Sequence, residues 1–259
     1  MNSRWTIQGF FDQDKKFYKS RRNTDPCISS EKILADSFLT FIYERTLNRQ
    51  LEKLDLNKKV LELGSAGGIT KFKFPWIITS DLRPSPGVDM VLRANEELPF
   101  EDNSIDRVIC KDVLHHISEP KKHFEEMFRI LKVGGKIVYT EPNWNLFSRV
   151  IYQFLHPEPF CATQKGWNFE NLDPMYSNQA LPWIIFCRDA EIFHQMFPGF
   201  VLEIDSVPTN AFSYLISGGV FKRNKIPSKF LMTLSEFENR NKMHMKFFGL
   251  SRTIEITKV

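Results

Sequence analysis

Hydrophobic residues recur at helical spacing near the start of the chain, from Ser29 or Ser30 to about Leu54. Either serine can cap a helix, and the acidic Glu31 follows in the first turn. One amphipathic helix is therefore predicted over this stretch. With the residues before it, this helix is expected to form an N-terminal helical cap over residues 1–57.

Short apolar runs follow, and each of them ends in small or polar residues. Four have the length and apolar character of strands buried on both faces: Val60–Leu63, Trp76–Ser80, Ile105–Lys111 and Lys136–Thr140. A helix is predicted between the last two, with Pro120 in its first turn and its end at Gly134 and Gly135. Strands alternating with helices predict an α/β fold with a parallel sheet, whose ligands bind beyond the carboxyl ends of the strands.

The pattern is less regular after about residue 142. Helices are predicted at Asn145–Leu155, Asp189–Phe197 and within Ser228–Phe248, a loop from Pro157 to Pro182, and strands at Phe200–Val207 and Thr253–Val259. The whole chain is predicted to be a single domain. Its core at residues 58–142 is followed by a lid insertion at 143–184, and the sheet ends within 185–259, around a helical insertion at 210–248.

Composition limits the class of protein. The chain has 259 residues, 42% of them hydrophobic, with 24 Phe, and no apolar run approaches the roughly 20 residues of a membrane span. The first residues lack the pattern of a secretory signal. Four cysteines lie far apart, without the spacing of a metal site, so we expect a reduced cytoplasmic compartment and no bound metal: Cys27, Cys110, Cys161 and Cys187.

Positive charge is concentrated at the end of the chain. The net charge is +4, but residues 221–259 contain nine Lys or Arg and three Glu. This balance is too weak to predict a nucleic-acid partner. We expect the apolar side of this segment to pack on the sheet; the alternative is shallow attachment to an anionic membrane, with Lys242 and Lys246 among its basic residues.

The turn after the first predicted strand is rich in glycine. A dinucleotide site requires the pattern G-x-G-x-x-G, and Gly64, Ala66 and Ile69 occupy those positions, so two of the three glycines are missing. The segment from Thr70 to Pro75 also leaves little room for the helix that usually follows. A dinucleotide-binding site is therefore disfavoured.

The same turn is similar to a different motif. Residues 60–68, VLELGSAGG, resemble the first motif of class I S-adenosylmethionine-dependent methyltransferases, E/D-x-G-x-G-x-G, with Ala66 in place of the middle glycine. Residues 94–106, ANEELPFEDNSID, then VLHH at 113–116 and LKVGG at 131–135 resemble later motifs of the small-molecule branch. The resemblance implies a Rossmann-like, mostly parallel seven-stranded sheet with helices on both faces and insertions over the acceptor site.

The resemblance also implies which residues bind S-adenosyl-L-methionine. Glu62 would face the amine of the methionine part, and Asp81 would accept both ribose hydroxyls, since a carboxylate can accept two donors at once. The other cofactor-binding residues that it implies are Gly64, Ser65, Ala66 and Gly67 in the turn, Leu82 beside Asp81, Ala94, Asn95 and Glu96 bordering the adenine, and Lys111 and Asp112 under the methionine part.

Methyl transfer to a hydroxyl also requires that a proton be removed. His116 is the first candidate for the base, because only one histidine of the pair His115 and His116 is expected to point inward. Glu141, at the end of the last core strand, is the alternative base. Structural roles for all three are equally compatible with the sequence.

A second resemblance concerns the acceptor. Residues 158–160, 167, 178–183, 188–189 and 217–220 are similar to bacterial methyltransferases of polysaccharide biosynthesis. This implies a saccharide or glycan precursor as acceptor, and aromatic faces and polar groups suited to binding it are present at His156, Trp167, Asn178, Gln179 and Trp183. The alternatives are a quinone-type lipid or another secondary metabolite as acceptor, and a cofactor-binding regulator without activity.

Overall fold

The structure is a computed structural model, and it describes residues 30–55, 57–156, 158–169, 177–219 and 225–259. Some predictions lie outside the described residues. These are the part of the helical cap at residues 1–29, the end of the motif at Val220, Cys27, the basic residues Lys222 and Arg223, and part of the predicted loop from Pro157 to Pro182.

The described residues form a seven-stranded sheet with the order β3-β2-β1-β4-β5-β7-β6. The strands are β1 Val60–Leu63, β2 Ile78–Asp81, β3 Met90–Val91, β4 Ile105–Lys111, β5 Leu131–Pro142, β6 Phe200–Ile204 and β7 Ser251–Lys258. The pairs from β3 to β5 are parallel, and β7 lies antiparallel between β5 and β6. The predicted mostly parallel, Rossmann-like sheet is confirmed.

Helices cover both faces of this sheet. They are α1 Ser30–Leu34, α2 Ser37–Gln50, α3 Ile69–Lys73, α4 Pro120–Ile130, α5 Leu146–Phe154, α6 Leu181–Trp183, which continues as a π-helical turn at Ile184–Arg188, α7 Ala190–Met196, α8 Phe212–Ser217, α9 Ser228–Arg240 and α10 Lys242–Phe248. Leu47 of α2 packs on Val60 and Ile109 on one face, while Phe124 of α4 packs with Leu61 on the other. The sheet is thus buried on both sides, as a parallel sheet requires.

The sequence predicted one helix from Ser29 or Ser30 to about Leu54, but the structure has two, α1 and α2. Asp36 lies between α1 and α2 in an extended conformation, and its carboxylate accepts hydrogen bonds from the backbone N–H groups of Phe38 and Leu39 at 2.9 and 3.1 Å. This N-cap begins a new helix because it satisfies donors that have no partner within the helix.

The helix predicted to end at Gly134 and Gly135 ends earlier. α4 stops at Ile130, and Leu131 already pairs with Ile105 of β4, so both glycines lie within β5. Leu131 is fully buried in the core. The helix therefore ends where Leu131 enters the core and pairs with β4, and the two glycines that follow do not determine its end.

The basic C-terminal segment differs from its prediction in two ways. It forms two helices, because the side chain of Asn241 accepts a hydrogen bond from the N–H of His244 and begins α10. The segment was predicted to pack on the sheet, but the main contacts of α9 are with the helices α2 and α8. Leu231 packs against Phe38 and Ile42 of α2. Within the described part of the chain, no helix is both long and apolar enough to cross a bilayer.

The glycine turn after β1 makes a close backbone contact that provides a stability test. Gly68 has φ of +83°, and a Cβ there would lie 2.0 Å from the carbonyl oxygen of Gly87. Gly134 has φ of +76°, but a Cβ there would meet no described atom within 4 Å. We expect Gly134→Ala to cost about 1–2 kcal/mol from backbone strain and Gly68→Ala about 1–3 kcal/mol more from overpacking. Urea unfolding measures both, and equal losses would contradict the close contact.

Candidate active site

The polar residues of the candidate site follow parallel strands at one edge of the sheet. Glu62 lies near the end of β1, Asp81 at the end of β2, Lys111 at the end of β4 and Glu141 near the end of β5. Because β2, β1, β4 and β5 are neighbours and run in the same direction, these ends meet. This is the edge where ligands of open α/β sheets bind.

The turn after β1 brings bare backbone to this edge. Gly64 has φ of +73°, and a Cβ there would lie 2.4 Å from Cγ2 of Val113, so a side chain has no room. Ala66 has φ of 49°, which shows that the backbone keeps the left-handed conformation where the motif has glycine. Ser65 is buried, and its hydroxyl has no hydrogen-bond partner among the described residues.

Glu62 is a buried carboxylate whose hydrogen bonds are incomplete. Thr70 donates to its Oε1 at 2.7 Å, but Oε2 has no partner in the described part of the chain. Burial raises the pKa of Glu62 to about 7, against the lowering effect of the Thr70 hydrogen bond and with a smaller rise from Asp81. An unpartnered buried oxygen is rare in native proteins. It fits the amine of an amino-acid moiety, which would be both its donor and its counter-charge.

Asp81 keeps capacity for further donors. Its Oδ1 accepts from the N–H of Leu82 at 2.7 Å, and its Oδ2 accepts from the N–H of Gly67 at 3.5 Å, which is a long contact. A carboxylate has about four lone-pair positions, so two hydroxyl groups can still bind. The predicted ribose-binding residue is therefore at the edge of the glycine turn, where the resemblance requires it.

The predicted adenine-binding segment is anchored by a buried histidine that the sequence analysis missed. The carbonyl oxygen of Ala94 lies 2.7 Å from Nδ1 of His123, whose Nε2 lies 2.5 Å from the hydroxyl of Tyr139. Burial lowers the pKa of His123 to about 4, so its ring is neutral. Asn95 donates to Glu119 at 3.4 Å, and Glu96 is exposed.

Lys111 and Asp112 form an ion pair at the end of β4. The ammonium of Lys111 contacts the carboxylate of Asp112 and lies 4.7 Å from the ring centroid of Tyr43 in α2. Burial lowers the pKa of Lys111, but the negative charge of Asp112, with smaller contributions from Tyr43 and Tyr214, outweighs it and keeps this pKa above its usual value. Tyr43 and Tyr214 come from elements far away in sequence, and the motifs did not indicate them.

A second cluster of polar groups follows β4 and β5. His115 lies with its Nδ1 2.6 Å from Oε2 of Glu141 and its Nε2 3.5 Å from Oε2 of Glu158. Burial lowers the pKa of His115, but these two carboxylates raise it to about 10. Both carboxylate oxygens of Glu141 have partners within the protein, because its Oε1 also accepts hydrogen bonds from the N–H groups of Val113 and Leu114 at 2.9 and 2.7 Å.

The orientation of the histidine pair differs from the prediction. The side chain of His115 is 2% exposed and that of His116 is 21% exposed, so His115 is the one that points inward. Their backbone belongs to one short 3₁₀ turn at Leu114–His116. The bond to Glu141 stabilises the buried orientation of His115. Nε2 of His116 lies 4.0 Å from Oε2 of Glu158.

The sequence analysis did not single out Glu158 for a catalytic role. It comes from the insertion after β5, and Gln179 and Ser177 donate hydrogen bonds to its Oε2. The charges of the histidines outweigh its burial and hold its pKa well below the usual range. His156, two residues before it, accepts from the N–H of Glu158 at 3.2 Å.

The residues predicted to bind a saccharide are largely bonded to the protein itself. Trp167 is buried and donates from Nε1 to Asp189 at 2.9 Å. The amide of Asn178 accepts from the N–H of Cys161 at 2.9 Å and donates to its carbonyl oxygen at 3.0 Å, and Gln179 donates to Glu158. Trp183 is partly exposed, with the guanidinium of Arg149 4.9 Å from its ring centroid. Their role in saccharide binding stays a prediction.

The raised pKa of Glu62 predicts how stability depends on pH. The folded pKa of about 7 exceeds the ordinary 4.5, so the folded state binds more protons between these values and stability falls as pH rises through them. We expect wild type to lose about 2–3 kcal/mol more than Glu62→Gln between pH 5 and 8. Denaturant unfolding at both pH values measures this difference. Glu96→Gln, at an exposed site, is the control and should behave as wild type; an identical loss in Glu62→Gln would refute the assignment.

Comparisons with known proteins agree with this geometry. Residues 41–139 match a family model described as a methyltransferase domain. A demethylmenaquinone methyltransferase of Renibacterium salmoninarum is 38% identical over 76 residues, 28% of this chain and 32% of that protein. Another, from Paenarthrobacter aurescens, is 34% identical over 93 residues, 33% of this chain and 36% of that protein. The chain thus spans about a third of the length of these curated relatives.

Among solved structures, a SAM-dependent methyltransferase from Archaeoglobus fulgidus is 14% identical, with a TM-score of 0.49 over 96% of this chain and 99% of that chain. The region that matches the family model, residues 41–139, contains the strands β1, β2 and β4, the glycine turn, and both carboxylates Glu62 and Asp81. Residues 41–139 of this chain are therefore similar to a methyltransferase domain.

Proposed function

We propose that this protein is an S-adenosylmethionine-dependent methyltransferase acting on a hydroxyl-bearing small molecule. The observation that carries the proposal is the buried carboxylate of Glu62, with Oε2 unpartnered among the described residues, beside Asp81 on the adjacent parallel strand. An amino-acid amine and a ribose are the groups that two such carboxylates fit. The names of the matched relatives, demethylmenaquinone methyltransferases, support methyl transfer as the reaction.

In this proposal Glu62 binds the amine and Asp81 binds the ribose hydroxyls. The remaining donor-site residues take the roles that the family resemblance implies: Gly64, Ser65, Ala66 and Gly67 under the ligand, Leu82 beside the ribose, Ala94, Asn95 and Glu96 along the adenine, and Lys111 and Asp112 at the methionine part. The cofactor supplies a methyl group on a positively charged sulfur, which is already activated. The protein therefore acts mainly by aligning the two reactants, which is worth roughly 7–11 kcal/mol in favourable cases.

The acceptor side is the cluster of His115, His116, Glu141 and Glu158. A hydroxyl acceptor must lose a proton, and a positioned base contributes about 10²–10⁴-fold. Nδ1 of His115 is hydrogen-bonded to Glu141, and Glu141 accepts hydrogen bonds from two backbone N–H groups. We propose that His115, His116 and Glu158 act together on the acceptor hydroxyl, with Glu141 as the residue that positions His115.

A quinone-type lipid is the acceptor class that we propose. Leu146, Val150 and Phe154 lie four residues apart on one side of α5, and all three are exposed. This helix follows β5, the strand that carries Glu141. The names of the matched relatives point to the same class.

The C-terminal helices support contact with a membrane that carries such a lipid. They expose four large apolar side chains, next to the basic Lys242 and Lys246: Phe230, Phe237, Met243 and Phe247. α10 packs against α5, so its exposed residues and those of α5 are on neighbouring helices. Apolar side chains with adjacent lysines favour an anionic membrane surface. The saccharide acceptor has weaker support, because Trp167, Asn178 and Gln179 are bonded internally.

Binding of S-adenosylhomocysteine tests the donor site. We expect Asp81→Ala to weaken binding at least about tenfold, since hydrogen bonds to a charged group contribute about 1.5–3 kcal/mol each. Titration calorimetry at pH 7.5 measures the affinity. Asp55→Ala, in the exposed loop before β1, is the matched control and should bind as wild type. Unchanged affinity in Asp81→Ala would remove the ribose assignment.

A methyl-transfer assay tests the acceptor. Donor with a labelled methyl group is offered with a demethylated quinol in anionic vesicles, with nucleotide sugars or with lipid-linked oligosaccharides, and we expect transfer to the quinol. The double variant Lys242→Glu/Lys246→Glu should slow transfer in vesicles about tenfold or more, since each lysine near the surface contributes about 1 kcal/mol, and should leave transfer to a water-soluble short-chain quinol unchanged. Transfer to a saccharide alone would contradict the lipid acceptor, and cofactor binding without any transfer would favour a regulator.

A further inference from the structure

We propose that His115, His116 and Glu158 form a binding site for a divalent transition-metal ion. No metal site was expected from the sequence, because neither the cysteines nor the histidines have the local spacing of metal ligands. The cluster lies outside the donor site, at the end of β4 and in the insertion that follows β5.

The three side chains place their ligand atoms close to one another. Nε2 of His115 lies 3.5 Å and Nε2 of His116 lies 4.0 Å from Oε2 of Glu158, and the three ligand atoms all lie within 4.8 Å of one another. Bonds of about 2.1 Å at a tetrahedral zinc ion place neighbouring ligands about 3.4 Å apart. One pair already has this separation, and a small rotation of the more exposed His116 shortens the others.

The residues around the three ligands orient them as in known metal sites. Oε2 of Glu141 lies 2.6 Å from Nδ1 of His115. This bond keeps a proton on Nδ1 and turns Nε2 toward Glu158, and an ion bound at Nε2 would displace the proton that Nε2 otherwise carries. A carboxylate behind a ligating histidine is the common second-sphere arrangement. Ser177 and Gln179 both donate to Oε2 of Glu158 and orient the carboxylate, so an ion would replace one of these donors on Oε2 or bind the other oxygen.

Charge balance favours a cation in this place. The buried carboxylates of Glu141 and Glu158 place two negative charges against His115, and Nε2 of His116 also lies 4.0 Å from Glu158. A divalent ion bound to neutral histidines compensates both. Removing two carboxylates from water is costly unless their charge is matched, so this balance stabilises the metal-bound form.

The donor set indicates the class of ion. Two imidazole nitrogens and one carboxylate oxygen suit zinc, iron, cobalt, nickel or manganese better than calcium or magnesium. Three protein ligands leave further positions open, which is typical of catalytic rather than structural sites. An acceptor oxygen bound at an open position would have its pKa lowered by the ion. This use rests on the proposed function, whereas metal binding itself does not.

Titration with Co²⁺ tests the site directly. The full-length protein, without a histidine tag and after dialysis against a chelator, is titrated with Co²⁺ and followed by its visible absorption, and Zn²⁺ is then added to displace it. We expect one equivalent to bind with a d–d spectrum. His116→Ala and Glu158→Gln should weaken binding about 100-fold or more, and Glu141→Gln about 10–100-fold. His194→Ala, at an exposed histidine on α7, is the matched control and should bind as wild type.

Calorimetry with S-adenosylhomocysteine on the same variants separates this inference from the proposed function. We expect its affinity to be unchanged in His116→Ala and Glu158→Gln, which also shows that both variants are folded. Absence of stoichiometric Co²⁺ binding, or equal Co²⁺ affinity in wild type and both variants, would overturn the metal site and leave the donor site standing. Normal Co²⁺ binding without any cofactor binding would instead overturn the proposed function and leave the metal site standing.

Discussion

The buried carboxylate of Glu62, with Oε2 unpartnered among the described residues, is the interaction on which the donor site depends. Burial of a carboxylate without full hydrogen bonding destabilises the folded protein, and here it raises the pKa to about 7. In the proposed function the same oxygen would give selectivity for a cationic ligand, which offsets this cost. The glycine turn at Gly64 and the contact between Gly68 and Gly87 stabilise the geometry around it.

Glu62 near the end of β1 and Glu141 near the end of β5 show how the surroundings of a buried glutamate determine its hydrogen bonding. Both Glu62 and Glu141 are buried, but Glu141 accepts two backbone N–H groups and contacts His115. Its hydrogen bonds are therefore complete within the protein, and it organises the turn that carries the histidines. Glu62 has only Thr70 as a donor among the described residues. Incomplete pairing of Glu62 and complete pairing of Glu141 are the reason for proposing a ligand-binding role for the first and a positioning role for the second.

The sequence predicted the parts of the fold that depend on local pattern. Apolar runs located β1 and β4, and the glycine motif located the turn after β1, because both signals lie within a few consecutive residues. The end of α4 was wrong because the pairing of Leu131 with Ile105 overrides the glycines that follow. Glu158 and Tyr43 reach the site from distant parts of the chain. Single-sequence patterns do not encode which distant side chains meet, so these contacts could not be predicted.

Direct contacts join the acceptor cluster to the insertion at residues 143–184. The N–H of Asn178 donates to the carbonyl oxygen of His115 at 2.9 Å, and Glu158 contacts the ring of the same histidine. Any movement of this insertion that admits an acceptor therefore also changes the surroundings of His115. A substitution of the buried His115 would disturb the insertion, the bond to Glu141 and the chemistry together. Because the more exposed His116 shares Glu158 but not the bond to Glu141, its substitution separates chemistry from packing.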